Sequence, residues 1–308
     1  MRFIMTTIET LAQKQPPLRT VAVHAGTFHA DDVFAIGILK LINSALSVIR
    51  TMDGPTLRWA DGRVDIGKNY NPLTHDYDHH QKGGAGEREN GVPYASAGLV
   101  WKHFGERLVH SKEAFDTIDR KLIQSIDAKD NGMTTSEDTI CRTYTIYDMV
   151  KIYNKAWEAK LKTNDEAFFS AVDVAKDILR YEIIKADESA QVNDYVRSCL
   201  PSHSHVPYVV LDKDCDWQPV LVNETDKLYA IYPSPVDDWR VRAVPIVEEG
   251  FIPRKSFPAA WGGLAGDDLS KATGVEDMIF CHKNLHLTTT KTKERALRIV
   301  EIAIAYSG

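Results

Sequence analysis

The chain has 308 residues, 44 % of them hydrophobic and 26 % charged, with a formal net charge of −6 at pH 7. That length can bury a sizeable core and divides naturally into two domains of ordinary globular composition. The acidic balance argues against a protein that coats nucleic acid, so a phosphate-bearing substrate must be met by a local positive cluster or by metal. No apolar run approaches membrane-spanning length, which argues against a membrane partner. The four cysteines, Cys141, Cys199, Cys215 and Cys281, form no CxxC pair. They suit the cytoplasm or another reducing compartment rather than a disulfide framework.

Residues 1–19 lack both a basic-then-apolar layout and an Arg-rich targeting pattern, and read as a poorly ordered leader. Thr20 to His24 reads as a buried strand, Ala25 to Ala30 as a tight loop. From Asp31 the residues Val33, Phe34, Ile36, Ile38, Leu39, Leu41 and Ile42 outline a buried helix, with Asp31 or Asp32 where an N-cap belongs. His24 thus ends a strand, while His29 and Asp31 stand in the loop that leads to a helix, the crevice where open α/β sheets bind ligands.

Further strands are predicted around Val48–Met52, Leu57–Ala60, Val64–Gly67 and Thr74–Asp78, with Asp65 near the end of the third. The run His75-Asp76-Tyr77-Asp78-His79-His80 carries five ligand-type side chains in six positions, followed by a Gly-rich loop, Gly83 to Arg88. Carboxylates and imidazoles at strand ends beside a flexible loop are what a divalent-cation site needs. A helical pattern follows over Ala95–Phe104, with His103 on its surface, and another over Lys112–Ile126. The second ends in Asp127-Ala128-Lys129-Asp130-Asn131-Gly132. Acidic residues at the negative end of a helix are unfavourable unless a cation is near.

One long helix is predicted from Asp165 to about Arg197, broken by Pro201, after which His203 and His205 read as surface residues. This sets the domains at 20–200, including the linking helix, and 201–308. The fold class is α/β: a mainly parallel sheet flanked by helices, then a smaller α/β domain. Strands are predicted there at Tyr208–Leu211, Val220–Val222, Leu228–Tyr232, Trp239–Val244 and Met278–His282. A closing helix runs over Lys291–Tyr306, with Thr288-Thr289-Thr290 able to cap it.

Together the first half offers His24, His29, Asp31, Asp65, Asp78-His79-His80, Asp127 and Asp130 at predicted element ends. One carboxylate bridging two divalent ions, ~3.5–4 Å apart, lets them activate water and clamp a phosphoryl group. Asp65, between the two His-containing clusters, suits the bridge. Neighbours on a strand point to opposite faces, so His79 and His80 are not expected to serve the same ion unless the chain turns there. Oxygen and imidazole donors without thiolate suit Mn2+ or Mg2+, with Zn2+ an alternative.

These motifs resemble the DHH phosphoesterase superfamily. The stretches His24 to Asp31, Tyr77 to Gln81, Ser96 to Val100, Ile126 to Gly132, Trp239 to Pro245, Pro258 to Leu264 and Phe280 to Thr292 resemble the melanocyte-proliferating-gene-one (Myg) exonuclease family within it. The resemblance implies an N-terminal DHH-type domain and metal-dependent phosphodiester hydrolysis, as a 3′-to-5′ exonuclease acting on RNA or short oligonucleotides. It implies His24, His29, Asp31, Asp65, His79 and Asp127 as ligands of two metal ions, leaving Asp127 against Asp130 open, and His80 with Asp78 as catalytic residues. In the C-terminal domain Arg254, Lys255, His282 and Lys291 become candidate phosphate contacts and Trp261 a stacking face for a base. The chain departs from the pattern at Ala25, at Ala30, and at Leu285 to Thr289, which replace an Asn, a Cys and a Gly-Gly turn. Rival readings are a small-molecule phosphatase or pyrophosphatase with the same site, and a metal-bound scaffold without turnover. A homo-oligomer is compatible with each of them.

Overall fold

The computed structural model describes residues 18–133, 143–154, 164–248, 250 and 252–306; the leader before residue 18 and Cys141 lie outside these. Two α/β units, Met1–Glu188 and Ser189–Gly308, are joined by a long helix. Among the described residues no helix is long and apolar enough to cross a membrane.

In the first unit β1 (Thr20–Val23) leads through a loop into α1 (Ala30–Ile42), a helix buried from Ala30 to Leu39. β1 pairs parallel with both β2 (Ser47–Arg50) and β3 (Gly62–Val64). Between those two strands the chain forms a helix, α2 (Gly54–Trp59), where the apolar run at Leu57–Ala60 predicts a strand. Asp53 caps it, accepting from Thr56 N at 2.9 Å, and Pro55 pre-sets the first turn, so local capping chemistry wins. β4 (Tyr70–Asn71) runs antiparallel to β5 (Asp76–Tyr77), and β5 parallel to β3, giving the order β2-β1-β3-β5-β4.

α3 (Ser96–Phe104) packs on α1. α4 (Lys112–Ile118) passes through a π-helical turn at Asp119–Ile123 into α5 (Gln124–Asp130), so the predicted helix contains one wide turn and runs on through Asp127. After α6 (Ile146–Lys151) comes α7 (Asn164–Cys199), the long helix. Its Phe168, Val172, Leu179 and Ile183 are buried in the first core with Phe28, Phe34, Leu99 and Trp101, and Val196 belongs to a core of the second unit.

The second unit holds β6 (Tyr208–Val210), α8 (Gln218–Glu224), β7 (Tyr229–Pro233), β8 (Trp239–Ala243), α9 (Gly266–Thr273), β9 (Met278–Cys281), β10 (Leu287–Thr290) and α10 (Lys293–Ala305). The sheet order is β6-β7-β8-β10-β9, parallel between β6 and β7 and antiparallel elsewhere. Val241 and Cys281 pack with Leu269, Ile299 and Val300 of α9 and α10, while Val209 and Tyr232 pack with Trp217, Val220 and Leu221. Two expectations change here. Val220–Val222 lies in α8, because Pro219 opens a helical turn and three apolar residues fit either element. Thr288–Thr290 is strand β10, and Thr292 caps α10 instead.

Candidate metal centre

Because β1, β3 and β5 are parallel, the residues that follow them emerge at one edge of the sheet. His24 follows Val23, Asp65 follows Val64, and Asp78-His79-His80 follow Tyr77. The first turn of α1 brings Asp31 and Asp32 to the same place, and the last residue of α5 brings Asp130. Asp65 adopts φ +53°, a left-handed conformation that aspartate tolerates better than most residues and that turns the chain as β3 ends.

The side chains converge around Asp65. His24 Nε2 lies 3.0 Å from Asp32 Oδ2 and 3.2 Å from Asp65 Oδ2. On the other carboxylate oxygen, His79 Nε2 is 3.5 Å from Asp65 Oδ1, and it stands 3.2 Å from Asp130 Oδ2 and 3.7 Å from Asp31 Oδ2. His29 Nδ1 is 3.7 Å from Asp130 Oδ1. Three groups result, His24 with Asp32 and Asp65, Asp65 with His79 and His80, and His29 with Asp31 and Asp130, each with donor atoms within 4.8 Å of one another. Ser96 at the start of α3 locks two carboxylates: its Oγ donates to Asp65 Oδ1 at 2.9 Å and its N–H to Asp31 Oδ2 at 3.3 Å.

The electrostatics favour a cation. Asp31 and Asp32 are fully buried, Asp65 nearly so. Burial, reinforced by Asp65, Asp130 and Asp32, pushes the Asp31 carboxyl well above its usual range. Asp31 Oδ1 is buried without a hydrogen-bond partner among the described residues. Burial disfavours charge on His24, but its bonds to Asp32 and Asp65 outweigh that and hold its pKa at about 10. His79 is likewise held at about 10, by Asp130 and Asp65 against burial. Asp65 is pulled down by both imidazoles despite burial. A pocket of buried carboxylates needs positive charge, which protons supply here and divalent ions supply better. The donor set therefore fits metal.

His79 and His80 do not point to opposite faces; they lie beyond β5 with ring centroids 4.3 Å apart. Exposure separates them instead, at 8 % for the His79 side chain and 53 % for His80. Asp78 is buried and organises the turn, accepting from Lys68 N at 2.6 Å and His80 N at 3.0 Å, and it holds His80 Nδ1 at 2.8 Å.

Asp127 is placed differently from its expected role. Its Oδ1 accepts from Gly98 N at 2.9 Å and its Oδ2 pairs with Arg88 Nη1 at 2.8 Å, outside the three groups. Arg88, from the Gly-rich loop, also forks onto Asp119 at 2.7 and 2.9 Å. Asp130, one helical turn on, takes the place beside His79. The sequence marks Asp32 only as a helix cap and gives Ser96 and Arg88 no site role of their own. Two adjacent aspartates at a helix start look alike until packing shows that both are buried.

In the second unit, Arg254 donates to the carbonyls of Leu221, Val222, Thr225 and Lys227 at 2.6–3.2 Å, tying off the end of α8. Lys255 Nζ does the same for Ile304 O at 2.7 Å near the end of α10. Trp261 is 3 % exposed and stacks on Phe257, so it is core and presents no face to a base. His282 remains half-buried beside His286, and Lys291 is exposed.

The MYG1 family model, described as an uncharacterised protein family (UPF0160), matches residues 20–304. The chain belongs to the MYG1 family. A MYG1 protein of Chlamydia muridarum is 29 % identical over 306 residues, covering 94 % of this chain and 98 % of its own. MYG1 exonucleases of mouse and human are 27 % and 26 % identical, each over 92 % of this chain and 84 % and 85 % of their own. Family membership and the clustered His and Asp donors together give the site the character of a metal-dependent hydrolase centre.

Proposed function

We infer that this chain is a two-metal phosphodiesterase that removes nucleotides from the 3′ end of RNA, with Mn2+ as its resident ion. The observation that carries the reading is Asp65, whose Oδ2 faces His24 and whose Oδ1 faces His79, at 3.2 and 3.5 Å. A carboxylate presenting one oxygen to each of two imidazole-containing groups would serve an ion held in either of them. The relatives named exonuclease support nucleic acid as the substrate.

His24, Asp32 and Asp65 would hold one ion; Asp65, His79, Asp31 and Asp130 the other, with His29 beside Asp31 and Asp130. When bound, the ions supply Lewis acidity and a nucleophile from water at neutral pH. The chain's own groups do the rest. Ser96 fixes the orientation of the Asp65 carboxylate. Asp78 fixes His80 through Nδ1, leaving the exposed Nε2 to donate to a phosphate oxygen. Asp127 with Arg88 secures the start of α3, on which Ser96 stands.

The test is a panel of labelled ribo- and deoxyribo-oligonucleotides, dinucleotides and pyrophosphate, assayed with Mn2+, Mg2+ and Zn2+. Stepwise release of mononucleotides from the 3′ end of RNA is expected, and Asp65→Ala should lose both ions and activity together. Turnover of pyrophosphate alone would refute the nuclease reading. Full activity and unchanged metal stoichiometry in Asp65→Ala would refute the two-metal reading.

A further inference from the structure

We propose that the β8, β10 and β9 part of one face of the second unit's sheet, beyond the part that α8 covers at Ala230 and Tyr232, receives a single-stranded nucleic acid, with Phe280 stacking a base and Arg240 and Arg242 holding phosphates. This deepens the nuclease reading above and rests on it. Thr289 of β10 pairs with Arg240 of β8 on one side and with Phe280 of β9 on the other. Directly paired residues share a face, so these three form a row across three strands, roughly 10 Å long. Arg242 lies two residues from Arg240 on the same face, opposite Leu287. The adjacent row, Val241, Thr288 and Cys281, points the other way and is fully buried, whereas in the first row Phe280 is 38 % exposed and Thr289, between the ring and Arg240, 8 %.

A lone exposed ring is ordinary. A ring in line with one guanidinium, with a second two residues along the same strand face, is a combination that stacks bases and neutralises a sugar-phosphate chain. The guanidiniums are available for this. Arg242 forms no ion pair among the described residues and is steadied by the Trp217 ring at 5.6 Å. Arg240 has a loose contact with Asp214 at 3.6 Å and a side chain 34 % exposed. His282 meets the Phe280 ring edge-on, centroids 6.2 Å apart, and its own ring is 4.3 Å from His286. His286 Nδ1 is buried without a hydrogen-bond partner among the described residues, an unmet polar atom beside the row. The occupant is a single strand because bases paired in a duplex cannot be splayed onto a ring. A bare phosphate would leave Phe280 idle.

The experiment measures binding of a labelled oligouridylate of about a dozen nucleotides to the full chain by fluorescence anisotropy, in EDTA so that nothing is cleaved. Phe280→Leu keeps an apolar side chain but removes the flat ring. It should weaken binding ~5- to 150-fold, the equivalent of ~1–3 kcal/mol for one stacked base. Phe280→Tyr keeps the ring and should bind like the unaltered protein, which separates lost stacking from lost folding. Arg240→Gln should reduce the slope of log affinity against log salt by about 0.7, one phosphate contact on a single strand. Lys271→Gln removes an equal charge from the exposed surface of α9 and should change neither quantity. Unchanged binding in Phe280→Leu, loss in Phe280→Tyr, or equal losses in Lys271→Gln and Arg240→Gln would overturn the assignment of this face. If the unaltered protein neither binds nor cleaves any oligonucleotide yet hydrolyses pyrophosphate, the nuclease reading falls with it. That result is distinct from a nuclease whose Phe280 and Arg240 variants bind normally.

Discussion

Asp127 and Asp130 stand three positions apart on one helix, and exchanging their roles is the sharpest test of the site. Asp127→Ala removes the acceptor of Gly98 N–H and one partner of Arg88, all three groups being buried. Breaking a buried ion pair from one side costs ~3–5 kcal/mol. Arg88 keeps its fork to Asp119, so the expected loss is somewhat smaller, ~2–4 kcal/mol. At roughly 2–4 °C per kcal/mol for a domain of this size, the melting temperature should fall by about 4–16 °C. Metal stoichiometry in the folded fraction should not change. Asp130→Ala instead removes a carboxylate that stands against His79 and raises the pKa of Asp31. The metal-free protein should melt within a few degrees of the unaltered one, while bound Mn2+ falls by about one equivalent. Differential scanning calorimetry with and without EDTA, beside metal analysis of dialysed protein, reads both. Loss of metal in Asp127→Ala without loss of stability, or a full metal complement in Asp130→Ala, would refute the reasoning.

The histidine pair should divide by burial: His79→Ala loses metal, whereas His80→Ala keeps it and loses turnover, and equal metal loss in both would remove the distinction. Arg254→Met should destabilise the second unit by ~2–4 kcal/mol, because four carbonyls at the end of α8 lose their donor. An effect of that variant on oligonucleotide affinity with unchanged melting would return Arg254 to the substrate. In metal-free protein His24 and His79 titrate near 10, above the 6.5 of an unfolded chain. Their contribution to stability is therefore complete below pH 6.5 and lost as pH rises towards about 10. Chelated protein should melt progressively lower over that range, while Mn2+ affinity, which requires the imidazole nitrogens free of protons, should rise. An affinity by calorimetry that does not vary with pH would contradict this.

The amino-acid sequence alone was enough to single out most of the His and Asp side chains that the fold brings together, because they end short elements whose hydrophobic patterns are local and strong. Val21 to Val23 and Val64 are buried strand residues, and the parallel pairing they imply must deliver His24, Asp65 and His79 to one edge. Turn chemistry settled α2, where Asp53 and Pro55, both visible along the chain, override a short apolar run. What only the tertiary structure decided is which carboxylate faces which partner. Asp31 and Asp32, or Asp127 and Asp130, are chemically identical along the chain. They differ once α1, α3 and α5 pack, when Arg88 arrives from a distant loop to take Asp127 and leaves Asp130 to His79. The same holds for the basic groups of the second unit. An arginine that ends a helix and one that faces solvent carry the same side chain, and only the positions of four carbonyls show that Arg254 is the former. Pairing among charges separated by tens of residues is set by packing geometry, and no local pattern encodes it.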